Sequence, residues 1–250
     1  MIENSKGYKT FLVFDYFMVA LLALICLLPM IHILAVSLSD RVANTAGMVT
    51  FWPVNFNLES YRYILKDSAF VRAFVISVLR TVIGAGIQVL MTIMCAYPLS
   101  KSSDRFNGRT AYVWFFLIAS LFSGGLIPTY LVVKQMGLMG SPWVVILLGS
   151  VSVYNIIIAR SFFTTNIPSE LFEAASIDGC GNGRFFISMV VPLSKSIIAV
   201  LALYYAVAQW NGYFNALVYL NRQEQYPLQL ILREILISSQ MVQADVGDVD

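Results

Sequence analysis

The chemistry-bearing residues of this 250-residue chain gather in two places. Between Asn166 and Lys195, Pro168 suits the first turn of a helix, Glu170 and Glu173 suit its positive N-terminal end, and Gly179 suits the left-handed residue that stops it. That grammar predicts a short helix over Pro168–Asp178, about 16 Å long at ~1.5 Å per residue. Such a rod is too short to cross a bilayer but long enough to dock into a groove on another protein, and Ala174 and Ala175 allow close approach on one side. The second place is Gln209, Trp210, Asn211, Tyr213, Phe214 and Asn215, where amides and aromatic rings interrupt an apolar run. Amides hydrogen-bond hydroxyls and ring faces cover sugar-like rings, so the cluster could line a path for a polyhydroxylated molecule. It fits equally well an interfacial aromatic belt in which the amides cap a helix end.

Other chemistries are missing from the text. There is no G-x-x-x-x-G-K-[ST] loop to cradle nucleotide phosphates, no H-E-x-x-H, no G-x-S-x-G, and only one histidine, His32. His32 is expected to be a packing hydrogen bonder near the outer end of the first span. An intramembrane aspartyl protease needs two acids at membrane depth, and only Asp15 lies near a span. The chain is therefore read as a non-enzyme with no catalytic residue, no metal and no cofactor of its own. Cys26, Cys95 and Cys180 are odd in number and scattered, and are expected to be buried small hydrophobes. A net charge of +2 with no run of like charges sets nucleic acid aside.

The elements that must position the two places are set by composition. With 58% apolar residues, 12% charged and a mean hydropathy of +0.75, the chain cannot cover a water-facing surface, so its solvent is a lipid bilayer. Crossing ~30 Å of hydrocarbon takes roughly 20 helical residues. Five predicted spans satisfy that: Tyr16–Leu38, Val82–Leu99 with an extension toward Val71, Ala111–Val133, Trp143–Ala159, and Ile197–Leu220, the last interrupted after Gln209. Ser123, Gly124, Gly125 and Pro128 break the third, either to open a path or, more simply, to kink it against its neighbours. Tyr226–Ser239 carries Gln229, Arg233 and Glu234 and is read as an amphipathic surface helix. Arg72 and Arg80 are expected to snorkel toward the outer surface, the alternative for Arg80, which lies deeper, being a pairing with a partner subunit, and no site is assigned to them. A slight excess of Lys and Arg on segments 1–10, 100–110 and 160–196 favours a cytoplasmic N-terminus.

The loop also resembles a known family, the permease subunits of binding-protein-dependent ATP-binding-cassette (ABC) importers. Their signature reads Glu-Ala-Ala, three residues, Gly, nine residues, Ile-x-Leu-Pro. This chain has Glu173, Ala174, Ala175, Gly179 and Pro192 at those distances, with Met189 and Val191 as apolar exchanges for Ile and Leu. Asp178 before Gly179 is similar to the sugar-importer branch. "FSGGLIPTYL" from Phe122, "SFF" from Ser161, "WNGYFNALVYL" from Trp210 and "YPLQLILREIL" from Tyr226 resemble the branch for complex saccharides.

The resemblance implies an all-α membrane protein, a multi-spanning helical bundle of the importer permease type forming a single permease domain over 1–250. It makes the short helix in loop 160–196 a cytoplasmic coupling helix, with Glu173, Ala174, Ala175, Asp178 and Gly179 contacting the ATPase, and leaves Gln209, Trp210, Asn211, Tyr213 and Asn215 as candidates for the substrate path. It implies as partners ABC ATPase subunits, a second permease, an extracytoplasmic solute-binding protein and a saccharide, in a bacterial plasma membrane. A sixth span is expected after the amphipathic segment, and this sequence stops before it. The rival reading is a membrane scaffold or receptor whose loop binds another cytoplasmic partner.

Overall fold

The computed structural model describes residues 6–102 and 104–247. Among these, all regular structure is helical, and packing divides the chain into two compact units, Met1–Val71 and Arg72–Asp250.

The first unit is dominated by α1 (Lys6–Ser37), whose 32 residues reach about 48 Å, more than a bilayer's hydrocarbon core. Its apolar side chains, Phe11, Leu22, Ile25 and Ile33 among them, point outward, which suits lipid because a helix satisfies its own backbone hydrogen bonds. Cys26 is exposed here, against the expectation that it is buried: on a lipid-facing helix an apolar environment needs no protein neighbour. Short helices α2 (Arg41–Thr45) and α3 (Glu59–Lys66) follow. The turn after α1 is fixed by buried Ser39, whose hydroxyl donates to the Ala35 carbonyl (2.6 Å) and accepts from Val54 N–H (3.0 Å). His32 Nδ1 donates to the Thr50 carbonyl at 2.6 Å, the packing hydrogen bond expected of it.

The second span begins with α4 (Ser68–Ser100), 33 residues or about 50 Å. Its buried residues Ala73, Ser77, Gly84, Gln88, Thr92, Ala96 and Leu99 recur at helical spacing. Most are small, as in helix interfaces within membranes, where association depends on close backbone approach. The third predicted span is two helices, α5 (Arg109–Leu121) and α6 (Leu126–Gln135), meeting at 116°. Gly125 sits at the corner with φ +79°, so the Ser123–Pro128 signal marks a sharp break and not a mild kink. The fourth is likewise divided, into α7 (Pro142–Leu147), with Pro142 in its first turn, and α8 (Val153–Asn166), capped by Ser152.

Then come α9 (Ser169–Ile177), α10 (Asn182–Phe185), a π-helical stretch Phe186–Val190 and α11 (Val191–Leu193). The chain bends by 80° at Ser194 into α12 (Lys195–Asn211). The predicted interruption after Gln209 lies two positions later: the helix carries on through Trp210 and Asn211 and breaks at Gly212–Tyr213 before α13 (Phe214–Tyr219). Helix α14 (Leu228–Gly247) is longer than the amphipathic segment expected over Tyr226–Ser239. It is pinned at its start to α4, where Leu228 N–H donates to Ser77 Oγ at 2.8 Å.

Two apolar cores hold this unit. One joins α4, α8, α9, α10 and α12 through Ala96, Leu99, Ile156, Phe163, Ala175, Phe185, Leu201 and Tyr205. The other joins α6, α7, α13 and α14 through Val133, Val144, Ala216, Tyr219 and Leu230.

Candidate functional site

The predicted Pro168–Asp178 helix forms as α9, with Pro168 and Asp178 as its flanking caps. Gly179 adopts φ +75°, the left-handed conformation for which glycine was expected. The Gly179 N–H then donates to the Ser176 carbonyl (3.1 Å) and the Cys180 N–H to the Ala175 carbonyl (2.8 Å). This pair is the Schellman pattern, which satisfies the last helical carbonyls and turns the chain sharply away.

The helix has two faces. Ala175, 4% exposed, packs into the first core with Phe172 and Leu171 beside it, and Phe172 meets Phe185 edge-on at 5.1 Å. Opposite, Glu170, Glu173, Ala174 and Ile177 are exposed, and Ile177 is 87% so. Of the five residues expected to act together, Glu173, Ala174, Asp178 and Gly179 are therefore on the surface, whereas Ala175 belongs to the packing that holds the helix in place.

A basic segment after α4 grips this helix. Arg105 Nη2 donates to Glu173 Oε1 at 2.6 Å. The Arg105 guanidinium lies 5.1 Å from the Phe172 ring centre and the Lys101 ammonium 4.3 Å from it. Lys101 also lies 4.8 Å from the Tyr97 ring and donates to Asn182 Oδ1. Burial, and secondarily the neighbouring Arg105, lowers the Lys101 pKa from its ordinary value. A cleft of about 540 Å³ lies here, lined by Lys101, Asp104, Arg105, Arg109, Thr164, Pro168 and Phe172.

The second candidate cluster is split. Gln209 and Asn215 line a cavity of about 330 Å³ with Arg80, Gln88, Ser152, Asn155, Tyr204 and Tyr205. Trp210 turns away to meet Phe74 edge-on at 6.1 Å, Asn211 donates to the Val207 carbonyl of its own helix (3.0 Å), and Tyr213 lies 5.2 Å from the Arg233 guanidinium. Two residues of the expected path thus face the cavity and three do not: α12 runs on past Gln209 and carries Trp210 and Asn211 round its axis, and Tyr213 lies in the break that follows.

At the cavity, Arg80 Nε donates to Gln209 Oε1 (3.0 Å) and Nη1 to the Gly212 carbonyl (2.6 Å). The expectation that Arg80 snorkels to the surface is corrected: its guanidinium is tied inward, across 129 positions of sequence. A Cβ on residue 212 would stand 2.9 Å from Arg80 Nη2, so the break needs glycine for the guanidinium to approach the backbone. Below it, buried Thr92 Oγ1 and Tyr205 Oη share a hydrogen bond of 2.6 Å. Gln88 is 4% exposed and its Oε1 has no hydrogen-bond partner among the described residues. Gln88, Ser152, Asn155, Tyr204 and Tyr205 were not singled out from sequence. Their signal was there, since an amide within an apolar run, as Gln88 is within Val82–Leu99 and Asn155 within Trp143–Ala159, must face something polar.

Comparison with known proteins fixes the class. No family model matches the chain. The polygalacturonan/rhamnogalacturonan transport system permease protein YtcP of Bacillus subtilis (strain 168) is 39% identical over 234 residues, 94% of this chain and 81% of that protein. Protein LplC of the same organism is 37% identical over 99% of this chain and 82% of its own length. A crystal structure of a bacterial ABC transporter involved in the import of the acidic polysaccharide alginate superimposes with a TM-score of 0.86 at 28% identity, covering 97% of this chain and 87% of that one.

A bundle of apolar helices with a short, surface-presented helix braced by an arginine from another turn is thus an ABC importer permease by both sequence and fold. The chain belongs to the permease subunits of carbohydrate ABC transporters, as a membrane-spanning transport subunit and not an enzyme, with ATP hydrolysis carried by a separate chain. Permeases of this family work with an ATPase, a second permease and a solute-binding protein. The scaffold reading is not favoured.

Proposed function

We propose that the chain forms one half of a translocation path for a saccharide of several units and receives the stroke of its ATPase through α9. Residues 1–250 act as a single permease domain in a bacterial plasma membrane. The chain crosses it five times, through α1, α4, the broken pairs α5–α6 and α7–α8, and α12 with α13. Glu173, Ala174, Asp178 and Gly179 contact the ATPase and Ala175 transmits the contact to the core, while Gln209 and Asn215 face the sugar. Saccharide transport systems named for polygalacturonan, rhamnogalacturonan and maltodextrin among the relatives support a substrate of several units.

The observation that carries the coupling role is the construction of α9. A helix with an exposed face, a buried anchor at Ala175 and a Schellman stop transmits displacement as a rod, whereas a mobile loop would absorb it. Lys101, Arg105, Arg109, Arg160, Arg184 and Lys195 on the same segments support a cytoplasmic location for this end, and two crossings back along the chain put the N-terminus on the same side.

Co-purification from the native membrane tests this. The unmodified chain should bring down an ABC ATPase and a second permease, and Glu173→Ala combined with Gly179→Pro should lose the ATPase. Retention of the ATPase by the double variant would sink the coupling role of α9.

A further inference from the structure

On α4, partly buried Arg80 carries a charge with no acidic partner among the described residues. A charge withdrawn from water into protein is costly and persists where it meets a partner or a ligand. Arg80 spends Nε on Gln209 and Nη1 on the Gly212 carbonyl, both neutral acceptors, and its Nη2 finds no acceptor among the described residues. Those two bonds hold the guanidinium plane fixed at the wall of the 330 Å³ cavity, a volume within the ~300–1,000 Å³ of small-molecule sites. That leaves Nη2 as the guanidinium nitrogen free to donate, and an ionised N–H donor of this kind forms a strong, charge-assisted hydrogen bond with a carboxylate oxygen.

The rest of the wall is suited to hydroxyls. Tyr204, Asn155 and Asn215 line it, and the buried Gln88 offers an oxygen with no partner. Counting ~1.5 Å per residue, Arg80 lies about 30 Å along α4 from Ser100. That is a full hydrocarbon thickness from the end that carries α9, at the face where an incoming solute would enter.

We infer that Arg80 is a substrate-selecting residue that binds the carboxylate of a uronic acid unit, while Gln88, Asn155 and Asn215 bind the hydroxyls of the same saccharide. The inference rests on the importer reading and narrows its substrate to acidic sugars. A carboxylate on the second permease could also neutralise Arg80, but it would leave the buried Gln88 oxygen unanswered, and a polyol ligand satisfies both.

The test is uptake into proteoliposomes by the complete importer, with its binding protein and ATPase, of galacturonate trisaccharide and of its methyl ester. The ester keeps the rings and hydroxyls and removes the charge. The wild-type importer should prefer the acid, and Arg80→Gln should reduce the acid-to-ester ratio of kcat/KM at least tenfold, with Arg80→Lys between the two. The binding protein's own preference cancels, being the same in every variant. An unchanged ratio in both variants overturns the inference and leaves the importer reading standing. Loss of the second permease from purified Arg80→Gln, with an unchanged ratio in Arg80→Lys, overturns it in favour of a subunit carboxylate. A wild-type importer that takes acid and ester equally also overturns it, and one that takes up no saccharide overturns both readings.

Discussion

Arg105 donates to Glu173 at 2.6 Å, joining the basic turn after α4 to the acidic residue that opens the Glu-Ala-Ala signature of α9. The two side chains are 34% and 58% exposed, so water screens the pair and it contributes on the order of 0.2–1 kcal/mol. What it sets is direction, since it aims α9 from a second anchor besides Ala175. Arg105→Ala and Glu173→Ala should each leave the melting temperature of the solubilised subunit nearly unchanged and yet lower the uptake obtained per ATP hydrolysed. A double variant no worse than either single one would identify the pair as the functional unit, and a large fall in melting temperature would show that the pair is structural.

Gly179 supports a second prediction. At φ +75° any β-carbon costs roughly 1–2 kcal/mol, and the two Schellman hydrogen bonds depend on that conformation. Gly179→Ala should loosen the end of α9 and weaken ATPase binding, whereas Gly179→Asn should do less harm because asparagine tolerates the left-handed region. Pull-down of the ATPase by the two variants, compared with wild type, reads the difference. Equal binding by all three would mean the stop is dispensable.

A third concerns the hydrogen bond between Thr92 on α4 and Tyr205 on α12, both buried. Thr92→Val or Tyr205→Phe alone leaves one polar atom stranded in an apolar layer, at a cost of about 1–3 kcal/mol. Changing both removes donor and acceptor together and should recover much of the loss. Thermal unfolding of the three variants in detergent gives the cycle, and additive losses would refute the pairing.

These relationships differ in how far the sequence displays them. Helix α9 is written locally: Pro168 before it, acids in its first turns and Gly179 after it all lie within one short segment, and each acts on its own neighbours. The breaks at Gly125 and Gly212 are half visible, because glycine marks a break without giving its angle, so the third span read as kinked and the fifth as broken too early. The Arg80–Gln209 pair is invisible, since nothing near either residue names a partner 129 positions away. The same limit explains why Trp210, Asn211 and Tyr213 were grouped with Gln209: they are near neighbours in sequence, and only the continuation of α12 through Asn211 and the break after it assign them other directions.

Gly212 joins the break in α12 to the cavity, and its replacement tests whether the two are one device. A β-carbon there would stand 2.9 Å from Arg80 Nη2 and 3.1 Å from the Ala208 carbonyl. The backbone oxygen cannot retreat, so the guanidinium must. Gly212→Ala should therefore displace Arg80 from Gln209 without touching the surface that α9 presents. ATPase pull-down should be unchanged, while uptake falls by about tenfold, the scale of a ~1.4 kcal/mol loss in binding. Gly86, on α4 with open space around its Cα, supplies the control, because Gly86→Ala adds the same methyl group where nothing lies within 4 Å. If both alanine variants transport alike, the geometry around Arg80 does not govern passage. If Gly212→Ala alone fails, the helix break and the buried guanidinium operate together.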